Sequence, residues 1–200
     1  RNLDAGEIVE QFYHLEDAVG TLDNIVFMGM GEPMLNLEAI RKTVQIMTHP
    51  DGRGLSRRRI TLSTSGLCDG IRALADKGPD IRLAISLTTA NEKLRSELMP
   101  VNKTCSLASL RTEIDYFTKK TGKRVTLEAA LMSGVNTFPE NAREIADFCK
   151  GLNVHVNLIA WNPVPSLPFE TPSSREIRTF VSNLEKLGVR FMITNCPLNP

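Results

Sequence analysis

The sequence predicts an α/β fold built on a parallel sheet, and three observations carry that expectation. Short apolar runs alternate with amphipathic stretches of helical length. Several runs are almost continuously apolar, as in Ile25-Val26-Phe27-Met28 and Leu83-Ala84-Ile85, the pattern of parallel strands covered by helices. The spacing between runs leaves room for a helix in each connection, which gives βα units in either an open sheet or a barrel.

Strands are expected at 24–28, 59–63, 81–86, 124–131, 154–159 and 189–194. Helices are expected at 5–14, 37–48, 70–75, 91–97, 106–121, 139–151 and 173–187. Ser106 is placed to cap the helix that begins at Leu107, Asn136-Thr137 precede Pro139 near a first turn, and Ser173-Ser174 precede Arg175-Glu176-Ile177. Gly151 and Gly188 stand where helices stop. The long irregular stretch, 161–172, holds Pro163, Pro165, Pro168 and Pro172 directly after a strand, on the face where α/β proteins keep their sites. No domain boundary, repeat or low-complexity tract interrupts the chain, so residues 1–200 are expected to form a single domain. The chain opens on a helix-like segment with no strand before it, which reads as a piece of a longer protein whose first strand is missing.

The 200 residues are 42% hydrophobic, 24% charged and 6% aromatic, a globular composition that excludes disordered and fibrous classes. No apolar run reaches membrane-spanning length, and residues 1–20 lack the basic-then-apolar order of a secretory signal, so no membrane partner and a cytoplasmic location are expected. The formal charge of +1 announces no polyanionic partner, although Arg53, Arg57, Arg58 and Arg59 cluster. Cys68, Cys105, Cys149 and Cys196 lie far apart without CxxC or CxxxCxxC spacing. They read as isolated small thiols, not a disulfide framework or a self-contained metal site.

Each expected strand end carries glycines or polar groups. Gly29-Met30-Gly31-Glu32-Pro33 lets backbone approach a ligand and offers a carboxylate to an ammonium or hydroxyl; alone, it is as well explained by a tight turn. Ser63-Thr64-Ser65-Gly66 and Ser86-Leu87-Thr88-Thr89 supply hydroxyls, which serve helix capping equally well. Asn162, before Pro163, is either an amide for a base or a carboxylate, or a turn starter. Their placement on one face of a parallel array points to a small polar ligand with charged, hydroxyl and planar parts.

These residues also carry a family resemblance. The stretches 24–36 and 54–66, with Leu83-Ala84-Ile85-Ser86-Leu87, Met99-Pro100-Val101-Asn102-Lys103 and Asn157-Leu158-Ile159-Ala160-Trp161-Asn162-Pro163, resemble the radical-SAM adenine-C2 methyltransferases of large-subunit ribosomal RNA and transfer RNA. Residues 1–8 resemble the segment that follows that family's cluster loop, and the similarity keeps its order to about Gly188. The resemblance implies a partial (βα)6 barrel that holds S-adenosylmethionine against a [4Fe–4S] cluster fed by an electron donor. It implies Gly31 and Glu32 at the methionine amino group, Ser63 and the Ser86-Leu87-Thr88 edge at the methionyl and ribose parts, and Asn162 at the adenosine portion. It further implies large-subunit rRNA, alone or together with tRNA, as substrate, with Arg57-Arg58-Arg59 either holding phosphates or simply solvated.

Three departures accompany the likeness. The CxxxCxxC cluster loop is absent and would lie just before residue 1, so the cluster ligands are not in this chain and the fragment alone is expected to be inactive. Thr88 stands where the family usually has histidine. The family's C-terminal segment, ending in a methyl-carrying cysteine, is not recognisable; Cys196 follows the last strand too soon to be matched by register and also reads as an unspecialised terminal cysteine. No other catalytic residue is assigned. Two alternatives stay open: another radical-SAM enzyme, such as an activase or methylthiolase, and a non-catalytic α/β binding module.

Overall fold

A computed structural model describes residues 1–194. Among these residues six strands form one sheet: β1 Ile25–Phe27, β2 Ile60–Thr64, β3 Arg82–Ser86, β4 Val125–Leu131, β5 Val154–Ala160 and β6 Phe191–Thr194. All adjacent pairs are parallel and the order follows the chain, with β1 and β6 at the edges. Helix α1 (Ala5–Val19) precedes the sheet; α2 (Leu37–Met47), α3 (Cys68–Lys77), α4 (Glu92–Leu98), α5 (Leu107–Thr121), α6 (Pro139–Cys149) and α7 (Ser174–Lys186) lie in the connections. The parallel strands with outer helices are thus as expected.

Side-chain alternation gives the sheet two different faces. In β4, Val125, Leu127, Ala129 and Leu131 are buried while Thr126, Glu128 and Ala130 are only partly covered; β5 repeats the pattern through His155, Asn157 and Ile159. The buried set packs with Ile114 and Phe117 of α5, Ile145 of α6 and Phe180 of α7 in one core. Each such fully buried aliphatic side chain contributes roughly 2 kcal/mol. The other set forms an inner face, where the register aligns Ser86 with Glu128, Glu128 with Asn157, Ser63 with Ala84, and Thr126 with both Ala84 and His155.

Helix boundaries follow local chemistry. Asp4 and Glu7 form a capping box that starts α1. With no breaker before Gly20, α1 runs on to Val19, five residues past the expected end. Ser106 and Ser173 cap α5 and α7 as expected, and Gly151 and Gly188 lie one residue beyond the C-caps of α6 and α7. Asn136 does not cap α6. Its amide instead donates to the Thr88 and Ala130 carbonyls and accepts from the Met132 N–H, tying the β3 and β4 ends together.

One expectation about cysteines is corrected. Cys68, the first residue of α3, and Cys105, before α5, are disulfide-bonded with Cα atoms 5.9 Å apart. The packing of α3 along α5 brings together residues separated by 37 positions, which no spacing rule detects. Cys149 is free, and burial pushes its thiol up to about 11. Cys196 lies outside the described residues.

Candidate functional site

The C-terminal ends of the strands hold the expected residues, with unequal roles. After β1 the chain turns through Gly29 (φ 150°) and Gly31 (φ 113°), a backbone that L side chains rarely adopt, and the space where a Cβ would point is open at both. Glu32 then caps a short 3-10 turn, Pro33–Asn36. That turn lies against α3 because Gly70 has no side chain; a Cβ there would meet the Met34 side chain at 2.5 Å.

Glu32 does not extend into this open space unengaged. One oxygen accepts from Met34 N (3.1 Å) and Thr64 Oγ1 (2.7 Å), the other from Ser65 N (2.9 Å) and Ser65 Oγ (2.7 Å). Four donors match the roughly four lone-pair positions of a carboxylate. To receive an ammonium as well, Glu32 would have to release one of them.

A second clamp was invisible in the sequence. Arg95 of α4 has 0% exposure although helix α4 is short and charged. Its guanidinium donates to the carbonyls of Ser65 (2.9 Å), Ser86 (3.1 Å) and Leu87 (3.2 Å) and to Asn102 Oδ1 (2.9 Å). Burial lowers its pKa to about 10, so it stays charged near neutrality. Arg95 therefore holds the ends of β2 and β3 at a fixed separation.

Ser63 and Ser86 both lie on the inner face, Ser63 buried and Ser86 partly open, while Leu87 points into the core. Thr88 takes φ 60°, rare for a β-branched residue. It is held there because Leu87 N and Thr88 N both donate to the Glu128 carbonyl, and Asn136 takes the Thr88 carbonyl. Asn162 is exposed just past β5, next to Trp161. The Trp161 indole N–H is buried without a partner among the described residues, its ring edge-on to Phe169.

The sequence reading missed the inner-face residues of β4 and β5. Asn157 Nδ2 donates to Glu128 Oε2 (2.7 Å), and Thr194 Oγ1 donates to Asn157 Oδ1 (2.7 Å). Burial raises the Glu128 carboxyl above the usual range, opposed by the Asn157 bond. The alternation of Thr126 and Glu128 with apolar residues was the available signal.

A groove of about 460 Å³ between α1 and β1 takes in Gly31 and Glu32, but neither Ser63, Ser86 nor Asn162 lines it. The arginine turn, Arg57–Arg59, sits at the N-terminal end of β2, opposite these strand ends; Arg59 pairs with Asp23 at 2.5 Å.

A SAM-type ligand offers an ammonium, a carboxylate, ribose hydroxyls and a purine. Open space beside two glycines, inner-face hydroxyls, a partly open carboxylate and a buried unpartnered indole N–H suit that set. An iron–sulfur cluster does not fit the described residues. Cys68 and Cys105 are bonded to each other, and no group of three or more His, Cys, Asp or Glu is placed to hold a metal ion.

Residues 1–157 match the model of the Radical SAM superfamily, and the chain belongs to that superfamily, whose members use S-adenosylmethionine and a [4Fe–4S] cluster. The particular relatives are methyltransferases. The chain is 62% identical over 189 residues, 94% of its length and 54% of the relative's, to the probable dual-specificity RNA methyltransferase RlmN of Treponema denticola. It is 41% identical over 197 residues to the protein of the same name from Bacillus licheniformis, covering 96% of this chain and 55% of that one. A radical SAM methyltransferase structure from Sphaerobacter thermophilus superposes with a TM-score of 0.91 at 41% identity, over 97% of this chain and 58% of that one. The chain thus spans about half the length of the curated relatives it matches. No helix among the described residues is long and apolar enough to cross a membrane.

Proposed function

We propose that residues 1–200 are a single domain of a longer protein and form the S-adenosylmethionine-binding core of an RNA methyltransferase. The reaction is methylation at C2 of an adenine in large-subunit rRNA, and in tRNA, in the cytoplasm. The 62% identity to a protein named as a dual-specificity RNA methyltransferase carries this reading.

The strand ends divide the work. The turn at Gly31, fixed by Glu32 through its four donors, presents backbone to the amino group of the cofactor. Ser63 and the Ser86-Leu87-Thr88 edge face the methionyl and ribose parts, and Asn162 the adenosine portion. When bound, the cofactor supplies the methyl group and the radical chemistry, with the cluster ligands and electron donor coming from outside these residues. The chain's own residues bind, orient and exclude competing reactions. The exposed Arg57 and Arg58 add phosphate-binding charge at the far end of β2.

The test is to incubate the complete protein, with its cluster reconstituted, with S-adenosylmethionine, a reductant and either large-subunit rRNA or tRNA, and to map methyl groups by mass spectrometry. C2-methyladenine in both RNAs is expected. Methylation at another atom, or none in either RNA, would overturn the reading.

A further inference from the structure

We propose that the N-terminal end of the sheet's inner face, opposite the cofactor edge, is a binding site for adjacent phosphate groups, held by Arg82, Arg124 and Arg190. Strand register builds it. Ala84 of β3 pairs with Thr126 of β4, so Arg82 and Arg124, each two residues earlier, stand side by side on that face. Thr126 pairs in turn with His155 of β5, and Val156 with Phe191, which sets Arg190 opposite His155. Thr61 of β2, partly covered, pairs with Arg82 and completes the row. Glu128, two residues beyond Thr126 and bonded to Asn157, bounds the cluster on the cofactor side.

The cluster has no anionic partner among the described residues. Arg82, Arg124 and Arg190 are exposed, and none of their side chains makes a hydrogen bond or ion pair with a described residue. Other cations at this end are neutralised within the chain, Arg59 by Asp23 and Lys123 by Asp80. Adjacent strands lie about 4.8 Å apart, so Arg82 and Arg124 repel each other unless an anion sits between them. Burial, and after it the Arg124 charge, lowers the His155 pKa, which keeps the ring neutral. Its Nε2 lies 3.4 Å from Thr126 Oγ1, while Nδ1 is buried without a partner among the described residues. In the tautomer with hydrogen on Nδ1, the imidazole adds an unused donor to the arginines.

Phosphate is the anion that suits this set. Guanidiniums bind phosphate oxygens through pairs of parallel N–H bonds, and the threonine hydroxyls add neutral donors. From β3 to β6 is three strand spacings, about 14 Å, which is wider than one phosphate group and accommodates two in succession. Successive phosphates occur in an RNA backbone and in a diphosphate or triphosphate ester.

The experiment uses the complete protein and two probes: inorganic pyrophosphate by titration calorimetry, and a tRNA transcript by fluorescence anisotropy across a salt series. Arg82→Gln and Arg124→Gln are each expected to weaken pyrophosphate binding about tenfold, the scale of one charge-assisted contact. Arg143→Gln, which removes the same charge from an exposed position on α6, should change it less than about twofold. If RNA supplies the phosphates, combining Arg82→Gln with Arg124→Gln also flattens the slope of log K against log salt by about 1.4, the value of two single-strand contacts. An unchanged slope with weakened pyrophosphate binding assigns the site to a small phosphate ester. No effect of the two substitutions on either probe, or an equal effect of Arg143→Gln, would overturn the site. S-adenosylmethionine binding is expected to stay unchanged in every variant, so this site and the cofactor reading fail separately.

Discussion

Across β1–β3 the C-terminal ends of the strands are tied to one another by their own side chains, whereas across β4–β6 the corresponding polar groups are oriented but left partly open. Glu32 spends both oxygens on Met34, Thr64 and Ser65, and Arg95 spends its donors on three carbonyls and Asn102. Glu128 keeps Oε1 open, and the Trp161 indole N–H is buried without a partner among the described residues. The lesson is that an acid at a strand end is not a binding group by virtue of its type. What the fold distinguishes in the two acids is how many of their lone pairs the described residues already fill.

Four substitutions test that contrast. The largest effect is expected from Arg95→Met, which keeps much of the volume but strands the Ser65, Ser86 and Leu87 carbonyls and Asn102 Oδ1. It should lower unfolding stability by about 3 kcal/mol in urea titrations. A loss below about 1 kcal/mol would mean that water takes over those acceptors and that the first half is no more rigid than the second.

Next comes a matched pair with opposite signs. Glu32→Gln sets an amide N–H against donors that need an acceptor, and should cost about 2 kcal/mol. Glu128→Gln should stabilise near neutral pH instead. Burial raises the Glu128 carboxyl, so the fold favours its protonated form; the penalty is absent below the ordinary glutamate range and appears as pH rises through the raised value. The gain should therefore be present at about pH 7 and vanish near pH 4. Thermal melts at both values read it, and a gain independent of pH would place the cause elsewhere.

The smallest effect belongs to the junction of the two halves. Thr88→Gly relieves φ 60° in a β-branched residue, offset by glycine's freedom in the unfolded chain, for a net gain of roughly 1 kcal/mol in unfolding stability. A loss would show that the Thr88 side chain itself holds the junction.

The sheet was largely legible in the sequence, because apolar runs and the caps Ser106 and Ser173 are local signals. The three 3-10 turns, Pro33–Asn36, Arg57–Arg59 and Pro100–Lys103, were not anticipated, being too short to leave a periodicity. The strand-end glycines and hydroxyls were legible as a group. Their division of labour was not. Arg95, in the charged run Glu92-Lys93-Leu94-Arg95, reads as solvent-facing, and only the approach of distant strand ends buries it. The Cys68–Cys105 bond and the Glu128–Asn157 pair likewise depend on contacts between separate βα units.

The strand order carries a consequence for biogenesis. Because each strand pairs only with its neighbours in sequence, the sheet can grow by adding one βα unit at a time to an edge that is already folded. No strand has to wait for a distant partner or be threaded between two others. During synthesis the growing edge, opposite the outer edge of β1, is covered by each next unit in turn; this limits the interval in which that growing edge could template association with other chains.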